Sequence, residues 1–240
     1  VAWYERPWLK KTRQMYSGEW SKVFKDKSPK QHLAEVGITR PIKTYSHHLS
    51  HAAAGFQTSP FEKAVVVVID AIGEWDTYSA YLASYDDKGI AQYKPILKKR
   101  YPNSMGLFYS AMTEAVGLKP MEEEYILMGM AAYGMPNWYR DVWSACVNED
   151  HNQTWKINFH AGIPKGVLPD IDESSLALSA QLVVERCLNT LMRQLASEYP
   201  DYDDCVFMGG VALNCVANSK IRDVWNRLWI MPNPGDCGSS

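Results

Sequence analysis

An uninterrupted apolar run over residues 64–69, with four consecutive valines, is the feature that most restricts how this chain can fold. β-branched side chains favour extended backbone, and a strand in which every residue is apolar has to be covered on both faces. The run therefore predicts a central strand over residues 63–70, with other elements packed on either side. It is too short to cross a bilayer, which takes about 20 apolar residues, so no membrane association is expected.

The remaining patterns mix strands with helices. A partner strand is predicted at 77–83, joined to the first by a hairpin, and shorter strands are predicted at 204–208 and 227–231. A short helix carrying histidines is predicted to begin after Ser46 as its N-cap and to stop at Gly55. Further helices are predicted at 104–118, 121–133, 176–196 and 214–225. Together these elements predict an α/β fold with a largely buried sheet.

Composition limits the classes of protein to consider. The chain has 240 residues, 46% of them hydrophobic and 22% charged, which suits a globular domain with a sizeable core. A net charge of −2 gives no overall attraction to nucleic acid or anionic membrane. Basic residues cluster in the first 45 positions and at 98–100; we interpret both groups as solvated surface, with contact to an anion or a partner as the alternative.

The cysteines indicate neither a disulfide framework nor a zinc knuckle. There are five of them, an odd number, and they are widely spaced without a C-x-x-C pair. A reducing compartment is the simplest setting for such a chain. We therefore expect a cytoplasmic protein.

A mixed set of histidines and aspartates is the strongest sign of a metal site. His47 and His51 are four residues apart, so a helix places both imidazoles on one face, while His48 points away. Asp70 closes the buried strand, where α/β sheets collect ligand-binding residues, and Asp236 follows another strand. A solvated turn is the alternative for Asp70. Two histidines with carboxylate suit ferrous iron, with zinc or manganese as alternatives.

Two loops are candidates for binding a nucleotide or a substrate. Gly209 and Gly210 lie between a strand and a helix, where glycines admit a close ligand and free amides favour phosphate, although a simple tight turn is the alternative. A second loop, at 73–77, carries Glu74 and Asp76. These carboxylates are candidates to orient magnesium, a ribose or a substrate hydroxyl, or else they are solvated hairpin charges.

Read together, six segments resemble, in order, the NodU/CmcH-type O-carbamoyltransferases. The resemblance covers nearly the whole chain and implies an actin-like ATPase (ribonuclease-H-like) fold, in which helices flank a mixed sheet. The segments are 47–53 (HHLSHAA), 67–77 (VVIDAIGEWDT), 104–109 (SMGLFY), 128–134 (MGMAAYG), 209–218 (GGVALNCVAN) and 234–238 (PGDCG).

The resemblance also implies an activity and a ligand set. Residues 1–240 would form a metal- and nucleotide-binding carbamoyltransferase domain, using Fe²⁺, ATP and Mg²⁺. Carbamoyl phosphate and ATP would give carbamoyl adenylate, whose carbamoyl group passes to a hydroxyl group of a small molecule. No residue is assigned a catalytic role beyond ligand binding. The implied metal ligands are His47, His51, Asp70 and Asp236, and the implied nucleotide and cofactor contacts are Gly209, Gly210, Asn214, Gly73 and Glu74.

The chain departs from the family pattern in some places. Ala71 replaces a usual glycine and Ile126 a usual lysine. The family's opening strands would precede Val1, and its YrdC-like domain would follow Ser240 or come from a separate chain. A tRNA threonylcarbamoyl transferase-like enzyme is an alternative, disfavoured by the near-neutral charge. A non-catalytic nucleotide-binding subunit is a further one.

Overall fold

The computed structural model describes residues 1–148 and 154–236. Cys237 and Gly238, at the end of the last family segment, lie outside the described residues. The strands are β1 Ala2–Trp3, β2 Lys43–Thr44, β3 Lys63–Gly73, β4 Asp76–Tyr85, β5 Ala91–Arg100, β6 Asp204–Met208 and β7 Arg227–Trp229. The α-helices are α1 Pro7–Tyr16, α2 Trp20–Lys25, α3 Pro29–Glu35, α4 His47–Thr58, α5 Met105–Ala115, α6 Glu124–Met130, α7 Tyr139–Cys146, α8 Glu173–Glu198 and α9 Cys215–Ile221.

The main sheet of the described chain has five strands in the order β5-β4-β3-β6-β7. β4 runs antiparallel to both β3 and β5, whereas β6 and β7 run parallel to β3. This order and these directions are those of ribonuclease-H-like sheets. The expected α/β fold, with helices flanking a mixed sheet, is confirmed.

The apolar run forms the centre of the sheet, as its sequence requires. Every side chain from Val65 to Ile69 is fully buried. Val65 and Val67 face the larger core, which includes residues of α5 and α8, whereas Val66 and Val68 face Phe56 of α4. Because both faces are covered, β3 excludes water along its length and carries Asp70 to the edge where β3 and β6 end.

Helix α4 is longer than predicted. It begins at His47, directly after the expected cap Ser46, but it continues past Gly55 to Thr58. A Cβ atom on Gly55 would lie 2.5 Å from Met208 Cγ and 2.8 Å from Val206 Cγ1. Gly55 is therefore a contact point between α4 and β6, and its prediction as a helix stop is wrong.

Other predictions of secondary structure were wrong. Strand β5 was not predicted. The segment predicted as a helix at 121–133 becomes helical only at Glu124, and Met121, with a φ of 67°, lies outside the helix. The segment 214–225 is broken into α9 and a following 3₁₀ turn. By contrast, the predicted hairpin of β3 and β4 and the long helix α8 are present.

Two further sequence predictions concern disulfide bonds and membrane-spanning helices. The described cysteines Cys146, Cys187, Cys205 and Cys215 are free, while Cys237 lies beyond the described residues. Within the described ranges, no helix is both long and apolar enough to cross a membrane.

Candidate functional site

Helix α4 brings two imidazoles together at its first turn. His47 and His51 lie on one face, their Nε2 atoms 3.1 Å apart, and they are 4% and 0% exposed. His48 is also buried, but its Nδ1 lies 2.8 Å from the hydroxyl oxygen of Ser79 and its Nε2 stays 3.9 Å from Asp70 Oδ2. The helical spacing therefore separates the pair from the third histidine, as the sequence predicts.

Two carboxylates reach the same point from separate segments, Asp70 from the last residues of β3 and Asp236 from the segment that follows β7, seven residues after its end rather than at a strand end as expected. Asp70 Oδ2 lies 3.4 Å from His47 Nε2 and 3.2 Å from His51 Nε2. Asp236 Oδ1 lies 3.3 Å and 3.0 Å from the same two nitrogens. One ligand atom from each of the four residues lies within 4.8 Å of all the others. We call these four residues the His-Asp cluster.

The spacing and the chemistry of the His-Asp cluster fit a single metal ion. Ligand atoms about 2.1 Å from a tetrahedral centre are about 3.4 Å from one another, which is close to the separations found here. Asp70 Oδ2 is buried, and apart from its close approach to the two imidazoles it has no hydrogen-bond partner within the described part of the chain. A buried carboxylate oxygen is costly without a partner, so a cation at this point would stabilise it.

The pKa values of the His-Asp cluster also indicate a site for a cation. Burial opposes protonation of His47, yet Asp236 and Asp70 outweigh it and raise its pKa to about 10. Burial would raise the pKa of Asp70, but the imidazoles of His47 and His51 hold it well below its usual range. The carboxylates of Asp70 and Asp236 are therefore stabilised by positive charge at this point. Protonated imidazoles or a divalent cation can supply it.

The end of β3 and the loop that follows it pack against His47. A Cβ atom on Gly73 would lie 2.4 Å from His47 Cδ2, so the strand can pass the ring only as glycine. Glu74 Oε1 accepts a hydrogen bond of 2.5 Å from the backbone N–H of Arg6. Burial raises the pKa of Glu74 above its ordinary value, although this bond and the nearby backbone N–H of His47 oppose the shift.

The predicted alternative of solvated hairpin charges is wrong for this loop. Glu74 and Asp76 are each 7% exposed. Asp76 Oδ2 accepts a bond of 2.7 Å from Lys98 Nζ, and Arg100 Nε lies 3.4 Å from Asp76 Oδ1. The basic group at 98–100 therefore neutralises a buried carboxylate in addition to contacting solvent.

The paired glycines sit directly against Asp70. Gly209 has a φ of 92°, and a Cβ atom there would lie 2.3 Å from the carbonyl oxygen of Ile69. The Gly210 N–H donates a bond of 2.5 Å to Asp70 Oδ1. This amide thus orients the carboxylate whose other oxygen faces the imidazoles, as outer hydrogen bonds do around metal ligands.

Asn214 belongs to a buried polar network that the sequence did not reveal. Its Oδ1 accepts from the Ala217 N–H at 2.9 Å, capping α9, and its Nδ2 donates to Gln181 Oε1 at 2.9 Å. Tyr109 donates to the same Gln181 oxygen at 2.8 Å. The network fixes the segment after β6, but Gln181 carries no sequence signal because its partner is 33 residues away.

A cavity of about 730 Å³ opens beside the His-Asp cluster. Asp70 and Asp236 line it, together with Gly210 and Asn214. Gly73 and Glu74 are not among the lining residues, which is consistent with their position behind the imidazoles. Four of the nine residues predicted from the sequence thus line one cavity. Gly209, His47 and His51 are also not among its lining residues, so the cluster reaches the cavity through its two carboxylates.

Comparison with known families decides the classification. Residues 13–240 match the family described as carbamoyltransferase N-terminus. The chain belongs to this family. Because the match covers almost the whole chain, it includes every segment on which the resemblance rests, and membership supports a transferase.

Relatives of this carbamoyltransferase-family chain are longer than it is. An uncharacterized protein of Synechocystis sp. is 31% identical over 88% of this chain and 38% of its own length. Nodulation protein NolNO of Sinorhizobium fredii is 30% identical over 85% of this chain and 31% of its own length. The ethanolamine utilization protein EutJ of Carboxydothermus hydrogenoformans superposes with a TM-score of 0.40 at 10% identity, over 85% of this chain and 56% of that one.

Proposed function

We propose that this chain is the metal- and nucleotide-binding part of an O-carbamoyltransferase. Its reaction would move a carbamoyl group from carbamoyl adenylate to a hydroxyl group of a small molecule. The observation that carries the proposal is the convergence of the His-Asp cluster at the wall of a cavity of about 730 Å³. A cavity of this size is in the range that holds small ligands such as nucleotides.

His47, His51, Asp70 and Asp236 would hold the metal, for which iron is the first candidate and zinc or manganese the alternatives. The bound ion would supply a Lewis acid that orients phosphate oxygen and polarises the carbamoyl carbonyl group. The protein's own contribution is to fix the ligands: α4 presents the imidazoles, and the Gly210 amide fixes the Asp70 carboxylate. Such fixed groups need little rearrangement when the substrate arrives.

The same cavity supports binding of the adenosine part of the donor. Gly210 leaves space beside Asp70, and Val211 and Leu213 add apolar surface on the same wall. The donor itself would come from carbamoyl phosphate and ATP with Mg²⁺, made in another part of the polypeptide or in a separate chain. We expect a small molecule with a free hydroxyl group as acceptor, and no nucleic acid.

The activity can be tested directly with purified protein. Carbamoyl phosphate, ATP, Mg²⁺ and Fe²⁺ are incubated with candidate alcohols, and mass spectrometry detects the mass gain of one HNCO unit. We expect carbamoylated product with the native protein and none with Asp70→Asn, while Asp86→Asn, in an exposed turn, retains activity. Nucleotide binding without transfer to any acceptor would favour a non-catalytic subunit instead.

A further inference from the structure

A second cleft lies in the N-terminal part of the chain and has no role in the proposed transfer. Its volume is about 650 Å³, and it shares no lining residue with the cavity beside the His-Asp cluster. We call it the basic cleft. Its lining includes Lys10, Lys11, Lys25, Lys27, Gln14 and Trp3, together with two carboxylates, Glu5 and Asp26.

The lysines give this cleft an excess of positive charge. Lys10 pairs with Glu5 at 3.1 Å and Lys27 pairs with Glu35 at 2.6 Å. Among the described residues, no carboxylate lies within ion-pair distance of Lys11 or Lys25. Two ammonium groups therefore remain available to an anion, and a phosphate group would satisfy them with charge-assisted hydrogen bonds.

Two polar atoms of the same cleft have no hydrogen-bond partner among the described residues. Gln14 is 1% exposed; its Nε2 donates to Asp26 Oδ2 at 2.8 Å, whereas its Oε1 is one of these two atoms. The buried Nε1 of Trp3 is the other. An unsatisfied buried donor or acceptor costs about 1–3 kcal/mol. One atom requires a donor and the other an acceptor, and hydroxyl groups supply both.

A stack of aromatic rings forms one wall of the basic cleft. The ring centroid of Trp3 lies 5.4 Å from that of Tyr4 and 6.4 Å from that of His32, with the planes nearly parallel. Such a stack is rigid and offers apolar ring edges to the body of a ligand. The cleft thus combines cationic groups, unsatisfied hydrogen-bonding atoms and a flat apolar wall.

We propose that the basic cleft binds a phosphorylated sugar. The phosphate group contacts Lys11 and Lys25, and the hydroxyl groups satisfy Gln14 Oε1 and Trp3 Nε1. This site is distinct from the proposed nucleotide cavity and does not depend on carbamoyl transfer. Tyr4 nonetheless connects the two regions, because it lines the basic cleft and its ring centroid lies 5.8 Å from that of His47.

Titration calorimetry on the full chain tests the proposal with defined probes. Glucose 6-phosphate and ribose 5-phosphate are compared with glucose and with inorganic phosphate. We expect at least one sugar phosphate to bind about tenfold or more tightly than inorganic phosphate, because hydroxyl contacts add to the phosphate contacts. Failure of both sugar phosphates to bind, or affinity equal to that of inorganic phosphate, overturns the proposal.

Variants distinguish the lysine contacts with the phosphate group from the contacts with the sugar hydroxyl groups. Lys11→Gln and Lys25→Gln are each expected to weaken both phosphate and sugar phosphate about tenfold, whereas Lys88→Gln, in the exposed β4–β5 turn, leaves both unchanged. Trp3→Phe keeps an aromatic ring and removes the N–H, so it should weaken only the sugar phosphate. Equal losses in all the lysine variants would indicate diffuse charge attraction and contradict a built site.

Discussion

At the scale of single residues, the site depends on a glycine that lets two strands meet. Gly209 turns with a φ of 92° directly above the Ile69 carbonyl, which brings the Gly210 amide to Asp70. The sequence suggested that the glycines admit a ligand. In the structure their first role is to admit the backbone of β3, and the cavity lies beyond Gly210.

We predict that Gly209→Ala destabilises the protein more than Gly89→Ala does. Both positions have positive φ, so alanine at either costs about 1–2 kcal/mol. Only at Gly209 does the added methyl group also meet backbone, whereas Gly89 has open space around it. Urea unfolding of both variants measures the difference, and equal losses would show that the close approach to Ile69 is not required.

Residue spacing predicted the candidate ligands of the His-Asp cluster and pointed to Glu74, but it predicted neither what Glu74 contacts nor any role for Gln181. The four-residue interval of His47 and His51 and the strand-end position of Asp70 carry enough periodic information to place them. Gln181 and Glu74 act through partners that only the tertiary fold brings near, so no local pattern indicates what they contact.

At the scale of elements, the contact of α4 with β6 sets the position of the imidazoles. We predict that Gly55→Ala destabilises the protein although alanine favours helix by about 1 kcal/mol, because the new methyl group meets Met208 and Val206. Gly129→Ala in α6 has nothing within 4 Å and should stabilise by about 0.5–1 kcal/mol. Thermal unfolding measures both, and the same sign in the two variants would contradict this account.

The junction of α1 and α2 should weaken in acid. Burial acts to raise the pKa of Glu19, but Lys22, Ser17 and Arg13 outweigh it and lower the pKa from 4.5 to about 2. Its contribution is therefore full above pH 4.5 and is lost as the pH falls toward 2. We predict that native protein exceeds Glu19→Gln in unfolding free energy at pH 7, and that the gap narrows between pH 5 and 3.

Urea unfolding at several pH values measures this gap. Glu62→Gln, which removes an exposed carboxylate, serves as the control and should keep a constant difference from native protein. A gap for Glu19→Gln that stays constant down to pH 3 would contradict the assigned charge contacts.

β5 was not predicted from the sequence because it is an edge strand. β5 pairs only with β4, and its residues include Pro95 and a run of basic side chains. Proline and lysine are depleted in central strands but are tolerated at edges, where they discourage pairing with another chain. β6 has neither residue type and β3 has only Lys63, at its first position, so the apolar runs of the central strands were sufficient for their prediction.

At the scale of the whole molecule, the sequence patterns predicted an α/β fold but not the strand order. The structure supplied that order, because pairing β3 with β6 joins segments more than 130 residues apart, which no local pattern indicates. The same long-range arrangement makes the site: Asp70, near the end of β3, and Asp236, seven residues after β7, meet at the same two imidazoles.

Metal content of the purified chain tests the central claim most directly. The chain is stripped with a chelator, equilibrated with Fe²⁺ or Zn²⁺, dialysed, and analysed for metal by mass spectrometry, with circular dichroism to confirm folding. We predict about one ion per native chain, strong loss in His51→Ala and Asp70→Asn, and retention in His32→Gln, an exposed histidine outside the His-Asp cluster. A folded native chain that binds no ion, or equal metal content in all these variants, would contradict the account.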